Sequence, residues 1–169
     1  MRLVLNTYWV QGNSLTVNIF VGLICLELQR NTFYLDPSYH NLPSDYTYAS
    51  KSWGKFFYKT YGPMTYTSAK AQCESDGAFL AVPRSDAEND FIAGLFPGSS
   101  IWIGINDINQ EGVYVAVDGG SISYTKWYSG EPNDSNGNED GVHINPDWNG
   151  YWNDLNVSYS FKVVCIYSF

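Results

Sequence analysis

An α+β fold is the class this sequence predicts, and three observations predict it. Two short amphipathic helical segments come early, between residues 65 and 96. Short apolar runs of strand character then follow, the last reaching residue 166. Between those runs lies a long segment rich in Gly, Pro, Asn and Asp, residues 129 to 151. A loop of that length inside a compact domain is usually functional.

The elements follow in order. Pro37 to Ser50 is rich in Pro, Ser, Asn and Tyr and reads as loop. Trp53 to Tyr61 is aromatic with partial alternation, which predicts a first strand. Thr65 to Ser75 reads as a helix, capped by Thr65 or Thr67 and stopped by Gly77. Tyr66, Ala69 and Cys73 share one face of it, so Cys73 is expected to point inward. Phe79 to Val82 is a short apolar segment. Ser85-Asp86-Ala87-Glu88 is a capping-box pattern leading into a second helix over Asn89 to Phe96. Its apolar stripe is Phe91, Ile92, Leu95 and Phe96, and Pro97-Gly98 ends it. Ile101 to Ile105 is a continuous apolar run that suits a buried strand, with Gly104 marking a close backbone approach. Val113 to Val117 and Tyr124 to Trp127 read as sheet-like, with a turn at Gly119-Gly120. Trp152 to Leu155 and Phe161 to Ile166 complete the strands. There is no internal repeat.

The 169 residues suit one domain with one core. A hydrophobic content of 44% with 17% aromatics is globular, not disordered. The net charge of -8 argues against a basic phosphate-binding face, so nucleic acid is not an expected partner. The acidic excess suits cation binding, and equally a solvated acidic surface. There are 3 cysteines, no CxxC, and two histidines, His40 and His143, far from any Cys, so zinc spacing is absent. The plain reading is a disulfide between Cys73 and Cys165 in an oxidising compartment; two reduced buried thiols are the alternative. Cys25 lies in an apolar run, Ile19 to Leu26, which is too short to span a membrane. With Arg2 upstream, that run resembles a signal-peptide core. The expected organisation is an N-terminal segment over residues 1–50, a signal plus linker, and a secreted domain over residues 51–169.

The long segment carries the chemistry. It holds Glu131-Pro132-Asn133 and Glu139-Asp140, and Trp152-Asn153-Asp154 follows it. These are oxygen-bearing side chains interleaved with turn formers. Calcium takes about six to eight oxygen ligands from carboxylates, amides and backbone carbonyls. Glu131, Asn133, Glu139, Asn153 and Asp154 can supply five side-chain ligands, leaving positions for two hydroxyls of a bound molecule.

These motifs, in this order, resemble the C-type lectin-like domain over residues 53–169. The matching pieces are the aromatic first strand, Cys73 on the first helix, Trp102-Ile103-Gly104-Ile105 at the family's WIGL strand, EPN at Glu131 to Asn133, WND at Trp152 to Asp154, and Cys165 near the end. The resemblance implies two helices with small antiparallel sheets and a long calcium-binding loop. It implies a principal Ca²⁺ and sugar site at Glu131, Asn133, Glu139, Asn153 and Asp154, with Pro132 after a cis peptide. It implies an auxiliary Ca²⁺ site at Asp107, Glu111, Asp134 and Asp140, sharing Glu139. The EPN order implies mannose, fucose or N-acetylglucosamine, bound through vicinal hydroxyls. Carboxylates only accept hydrogen bonds and amides also donate, so Glu131 and Asn133 would fix how those hydroxyls point.

Two departures stand beside the likeness. Gly141 and Val157 occupy the positions of the family's inner disulfide. Asn133-Asp134-Ser135 and Asn156-Val157-Ser158 are glycosylation sequons, of which Asn156 is the better acceptor, because a glycan on Asn133 would destroy the site.

Of the other side chains, Trp152 is expected in the core, His143 as a structural histidine in a strand, and Trp148 and Tyr151 as candidate exposed sugar contacts. Ser135 either touches a sugar or turns the loop. A glycosidase pair of Glu131 and Glu139 is rejected, since both serve better as metal ligands, so no enzyme activity is expected. The competing class is a Ca²⁺-stabilised adhesion, mineral- or ice-binding protein on the same fold. No heptad pattern points to an oligomer, although sugar avidity would profit from one.

Overall fold

A computed structural model describes residues 45–168. The signal-like run, Cys25 and His40 lie outside those residues.

Strands β1 (Thr47–Lys51) and β2 (Gly54–Met64) form a hairpin. The loop expected up to Ser50 therefore ends earlier. Thr47 and Tyr48 favour the pleated conformation, Ala49 buries against the sheet, and the Tyr48 ring packs on Phe57 at 5.3 Å. Helix α1 (Tyr66–Ser75) starts where Thr65 Oγ1 accepts the Ser68 N–H. Its inward face is Tyr66, Ala69 and Cys73. Past its end Gly77 takes φ 73, which a side chain would resist. Strand β3 (Phe79–Leu80) is followed by α2 (Asp86–Gly94).

Helix α2 begins earlier than expected, because Ser85 caps it by accepting the Glu88 N–H at 3.3 Å. The reciprocal half of the box is displaced: Glu88 Oε2 accepts from Arg84 N–H at 2.9 Å. Leu95 is the C-cap, so Leu95 and Phe96 pack from beyond the helix.

Strand β4 (Ile101–Asn106) is buried along its whole length. It is antiparallel to β5 (Val115–Ala116) and β6 (Gly141–Asn145), and parallel to β8 (Phe161–Ser168). Strand β7 (Tyr151–Leu155) pairs with β6. The sheet order is β1-β2-β8-β4-β6-β7, with β3 on β8 and β5 on β4. At Gly104 an added Cβ would stand 2.6 Å from Val117 Cγ2 and 2.8 Å from Val82 Cγ2, and would strike the Leu80 carbonyl oxygen. The close approach read from the sequence is real.

Two further sequence expectations change. Tyr124 to Trp127 forms no strand; it runs beside β7 through a single bridge, Trp127 to Trp152, and the Trp152 N–H bond to Lys126 O of 2.7 Å. One contact point is too little for a ladder. The long segment is also not all loop. Gly141 to Asn145 buries as β6, and Pro146–Trp148 forms a 3-10 turn, leaving residues 129–140 as the loop proper.

The core has two parts. One gathers Ile92, Ile101, Ile103, Val142, Ile144 and Trp152. The other gathers Tyr66, Trp102 and Val163 around the Cys73–Cys165 disulfide, which ties α1 to β8 with a Cα separation of 5.2 Å.

Candidate functional site

Three chain ends meet at one edge of the sheet. Asp107 leaves β4 and its N–H bonds Asp140 O at 3.1 Å, just before β6. In the β6–β7 hairpin Val142 faces Asp154 and His143 faces Asn153. Loop 129–140 arrives through a turn in which Glu131 N–H bonds Tyr128 O at 3.0 Å, with Gly130 at φ 100. The Glu131–Pro132 peptide is cis, an isomer that only an X-Pro bond reaches cheaply. Asp134 (φ 41) and Asn136 (φ 66) hold left-handed positions that short polar side chains tolerate.

Asp154 is the anchor of this loop. It is fully buried. Its Oδ1 accepts the Asn133 N–H at 3.1 Å, and its Oδ2 accepts the Asp134 N–H at 2.9 Å and the Tyr114 hydroxyl at 3.2 Å. One carboxylate thus ties β7 to the backbone on the far side of the cis-proline. Glu139 and Asp134 brace the loop across itself. Glu139 Oε2 accepts the Ser135 N–H at 2.8 Å, while Asp134 Oδ1 accepts the Glu139 N–H at 3.1 Å. Ser135 therefore turns the loop through its backbone. Glu131 Oε2 accepts from Asn133 Nδ2 at 2.6 Å.

Asn153 is oriented from behind. His143 is buried, and burial lowers its pKa to about 4, so the ring is neutral. Its Nδ1 lies 3.3 Å from the Ile144 carbonyl, which can only accept, so Nδ1 carries the hydrogen. Nε2 is then the acceptor for Asn153 Nδ2 at 3.3 Å. The amide oxygen of Asn153 is the end of the side chain that this bond leaves uncommitted.

The electrostatics are those of acids held together without compensation. Burial first, then Asp154 and Glu139, push Glu131 up to about 7. Burial also raises Glu139, with Asp154 and Asp134 adding to it. Asp107 is raised by burial and then by Asp140, and Glu111 by burial and then by Asp107, Asp134 and Asp140. Among the described residues the ion pairs lie elsewhere: Lys59 with Asp45 and Asp76, Lys70 with Glu74, Arg84 with Asp118, and Lys126 with Asp86 and Asp90.

Asp107, Glu111 and Asp140 gather most tightly, each offering an oxygen, all within 4.8 Å of one another. Asp107 Oδ2 accepts the Gly112 N–H at 2.8 Å, but its Oδ1 is buried with no hydrogen-bond partner. An orphaned carboxylate oxygen among oxygen-only donors fits a hard cation such as Ca²⁺. Asp134 and Glu139 are bonded to each other, and Asp134 acts on Glu111 as Glu139 does on Glu131, which links the two expected ligand sets electrostatically. Among the described residues, however, only Asp107, Glu111 and Asp140 bring acidic oxygens into one tight group.

Two residues were missed by the sequence reading. Tyr114 sits in an unremarkable Val-Tyr-Val run, yet it holds Asp154. Asn89 is buried in α2, accepts from Trp152 Nε1 at 2.7 Å and donates to Gly150 O at 3.1 Å. Neither carries a local signal, since both partners are distant in sequence. Trp152 is core, as expected. At the missing inner bridge, a Cβ on Gly141 would stand 3.3 Å from Val157 Cγ1 and 3.1 Å from both Trp102 and Tyr66. Side chains already fill the space a disulfide would take.

The profile of the lectin C-type domain matches residues 62–167. This chain belongs to the C-type lectin domain family. It is 36% identical over 123 residues to hepatic lectin of Gallus gallus, covering 69% of this chain and 58% of that protein. It is 37% identical over 118 residues to collectin-10 of Xenopus tropicalis, covering 66% of this chain and 41% of that protein. The C-type lectin match therefore spans about half the length of these relatives. Among solved structures, the cow C-type carbohydrate-recognition domain of CD23, crystallised in the presence of a GlcNAc2Man3 oligosaccharide, superposes with a TM-score of 0.66 at 27% identity. That match covers 75% of this chain and 95% of the bovine domain. The α+β architecture of this lectin domain is thus that of its family.

Proposed function

We propose that this C-type lectin domain binds carbohydrate through Ca²⁺ and prefers mannose-type sugars. The observation that carries the reading is the arrangement around the cis Glu131–Pro132 peptide, where Glu131, Asn133, Asn153, Asp154 and Glu139 share one edge with no cationic side chain among them. Bound Ca²⁺ would offset that repulsion and take sugar hydroxyl oxygens directly. Glu131 would accept from a hydroxyl, and Asn133 and Asn153 would present amide groups to it. Asp154 would hold the loop and Glu139 would brace it. Asp107, Glu111, Asp134 and Asp140, with Glu139, would hold a second ion that stiffens the same loop. No bond is broken in this reading; the chemistry is equilibrium binding. The Cys73–Cys165 disulfide supports a secreted or other extracellular location. No helix among the described residues is long and apolar enough to cross a membrane.

Retention on mannose resin tests the proposal. The expected result is retention with Ca²⁺ and elution by EDTA or free mannose. Flow-through with Ca²⁺ present, alongside Ca²⁺-induced stabilisation on heating, would move the function to a protein, mineral or ice surface.

A further inference from the structure

Beside the candidate sugar site lies a cluster of aromatic rings that the fold does not bury. Tyr128 and Trp148 stack with centroids 4.3 Å apart and planes inclined by 20°. Tyr151 meets Tyr128 edge-on at 6.3 Å. Tyr128 and Tyr151 are each 41% exposed. Each ring is fixed by the protein on one side. Trp148 covers one face of Tyr128, and Lys126 Nζ sits 5.6 Å over the Tyr151 ring. Lys126 is itself held by Asp86 and Asp90. Large rings fixed in this way lose little entropy when a ligand covers their other face.

The cluster is joined to the candidate sugar site twice. Tyr128 begins the turn whose last residue is Glu131. Tyr151 lies two residues before Asn153 on β7, so both side chains leave the same face of the strand, about 7 Å apart along it. The patch comprises three rings with Lys126 at their polar rim, far short of the about 1,000 Å² that a protein interface needs. A pyranose offers what it fits: an apolar C–H face for the rings and hydroxyls for the polar rim.

We propose that Tyr128 and Tyr151, with Trp148 holding Tyr128 in place, form a second subsite for the next sugar of an oligosaccharide whose terminal residue occupies the Ca²⁺ site. This rests on the carbohydrate-binding reading above and sets the ligand class as an oligosaccharide of at least two residues.

The test is titration calorimetry on the disulfide-bonded chain in CaCl₂, with methyl α-mannoside and with linear mannotriose. The expected result is mannotriose binding about tenfold tighter than the monosaccharide. Tyr128→Ala combined with Tyr151→Ala should abolish the gain while methyl α-mannoside still binds in a Ca²⁺-dependent way, which also shows that the variant is folded. Tyr151→Phe keeps the ring and should keep the gain. Equal affinities for the two sugars, or a gain that survives the double substitution, would overturn the subsite and leave the Ca²⁺ site standing. Failure of both sugars to bind with Ca²⁺ present would overturn both proposals.

Discussion

His143 is neutral because burial holds its imidazole down to about 4, and that neutrality decides what Asn153 presents. With Nδ1–H committed to the Ile144 carbonyl, Nε2 takes the Asn153 amide hydrogen and frees the amide oxygen. His143→Phe keeps the ring shape beside Trp102 and Phe161 but removes that acceptor. Calorimetric Ca²⁺ titration should show affinity weakened by about tenfold or more, as for other residues that orient a metal ligand. An unchanged affinity would mean that Asn153 is placed by its strand alone. Asn89 is a structural counterpart. Asn89→Ala strands the buried Trp152 Nε1–H and the Gly150 carbonyl, and denaturant unfolding should register a loss of about 2–3 kcal/mol. At this scale the sequence was half legible. The EPN and WND side chains carry their own chemistry and can be read in place. Tyr114, Asn89 and the His143–Asn153 bond depend on residues that only the fold brings together.

Loop 129–140 is held by few elements of its own. Its ties are the Asp154 carboxylate, the crossed Glu139–Asp134 bonds and the Tyr128–Glu131 turn. Where the family's inner bridge would lie, at Gly141 and Val157, a Cβ on Gly141 would instead meet Tyr66, Trp102 and Val157. Limited proteolysis should therefore cut this loop in EDTA and spare it in Ca²⁺. Equal cutting in both conditions would show that the protein braces alone suffice. The elements themselves were read well where hydrophobic pattern and caps agreed, as in α1 and β4. They were misread where short segments lean on neighbours. Strand β1 depends on β2, and Tyr124 to Trp127 has one bridge to β7, which local pattern does not encode.

Across the whole molecule, the acidic edge ties stability to pH and cation together. Without a cation, folded Glu131 titrates at about 7 against an ordinary value of 4.5. Between those values the folded chain binds a proton that the unfolded chain has released. The contribution of Glu131 to the stability of the cation-free chain is therefore full below about 4.5 and is lost as pH rises through 7. Ca²⁺ competes with protons for the same carboxylates, so its stabilisation grows as pH rises. Thermal melts at pH 5 and 7.5 should show EDTA samples melting lower at 7.5 and Ca²⁺ reversing the order. An EDTA sample that melts higher at pH 7.5 would contradict the uncompensated-acid account. The α+β class and the tie from α1 to the last strand were legible in the sequence, because Cys73 sits on an apolar helical face and Cys165 in an apolar strand. Of the aromatic patch, Trp148 and Tyr151 were legible as candidate sugar contacts, but Tyr128 was not, since it comes from a separate segment.

In the proposed function, sugar and Ca²⁺ share one site. Ca²⁺ titration at pH 7.5, with and without saturating methyl α-mannoside, tests it directly. Linkage requires the sugar to tighten Ca²⁺ binding by the same factor that Ca²⁺ tightens sugar binding. Ca²⁺ should bind more tightly in the presence of sugar, and Glu131→Gln should lose that coupling. A Ca²⁺ affinity indifferent to the sugar would contradict a shared site.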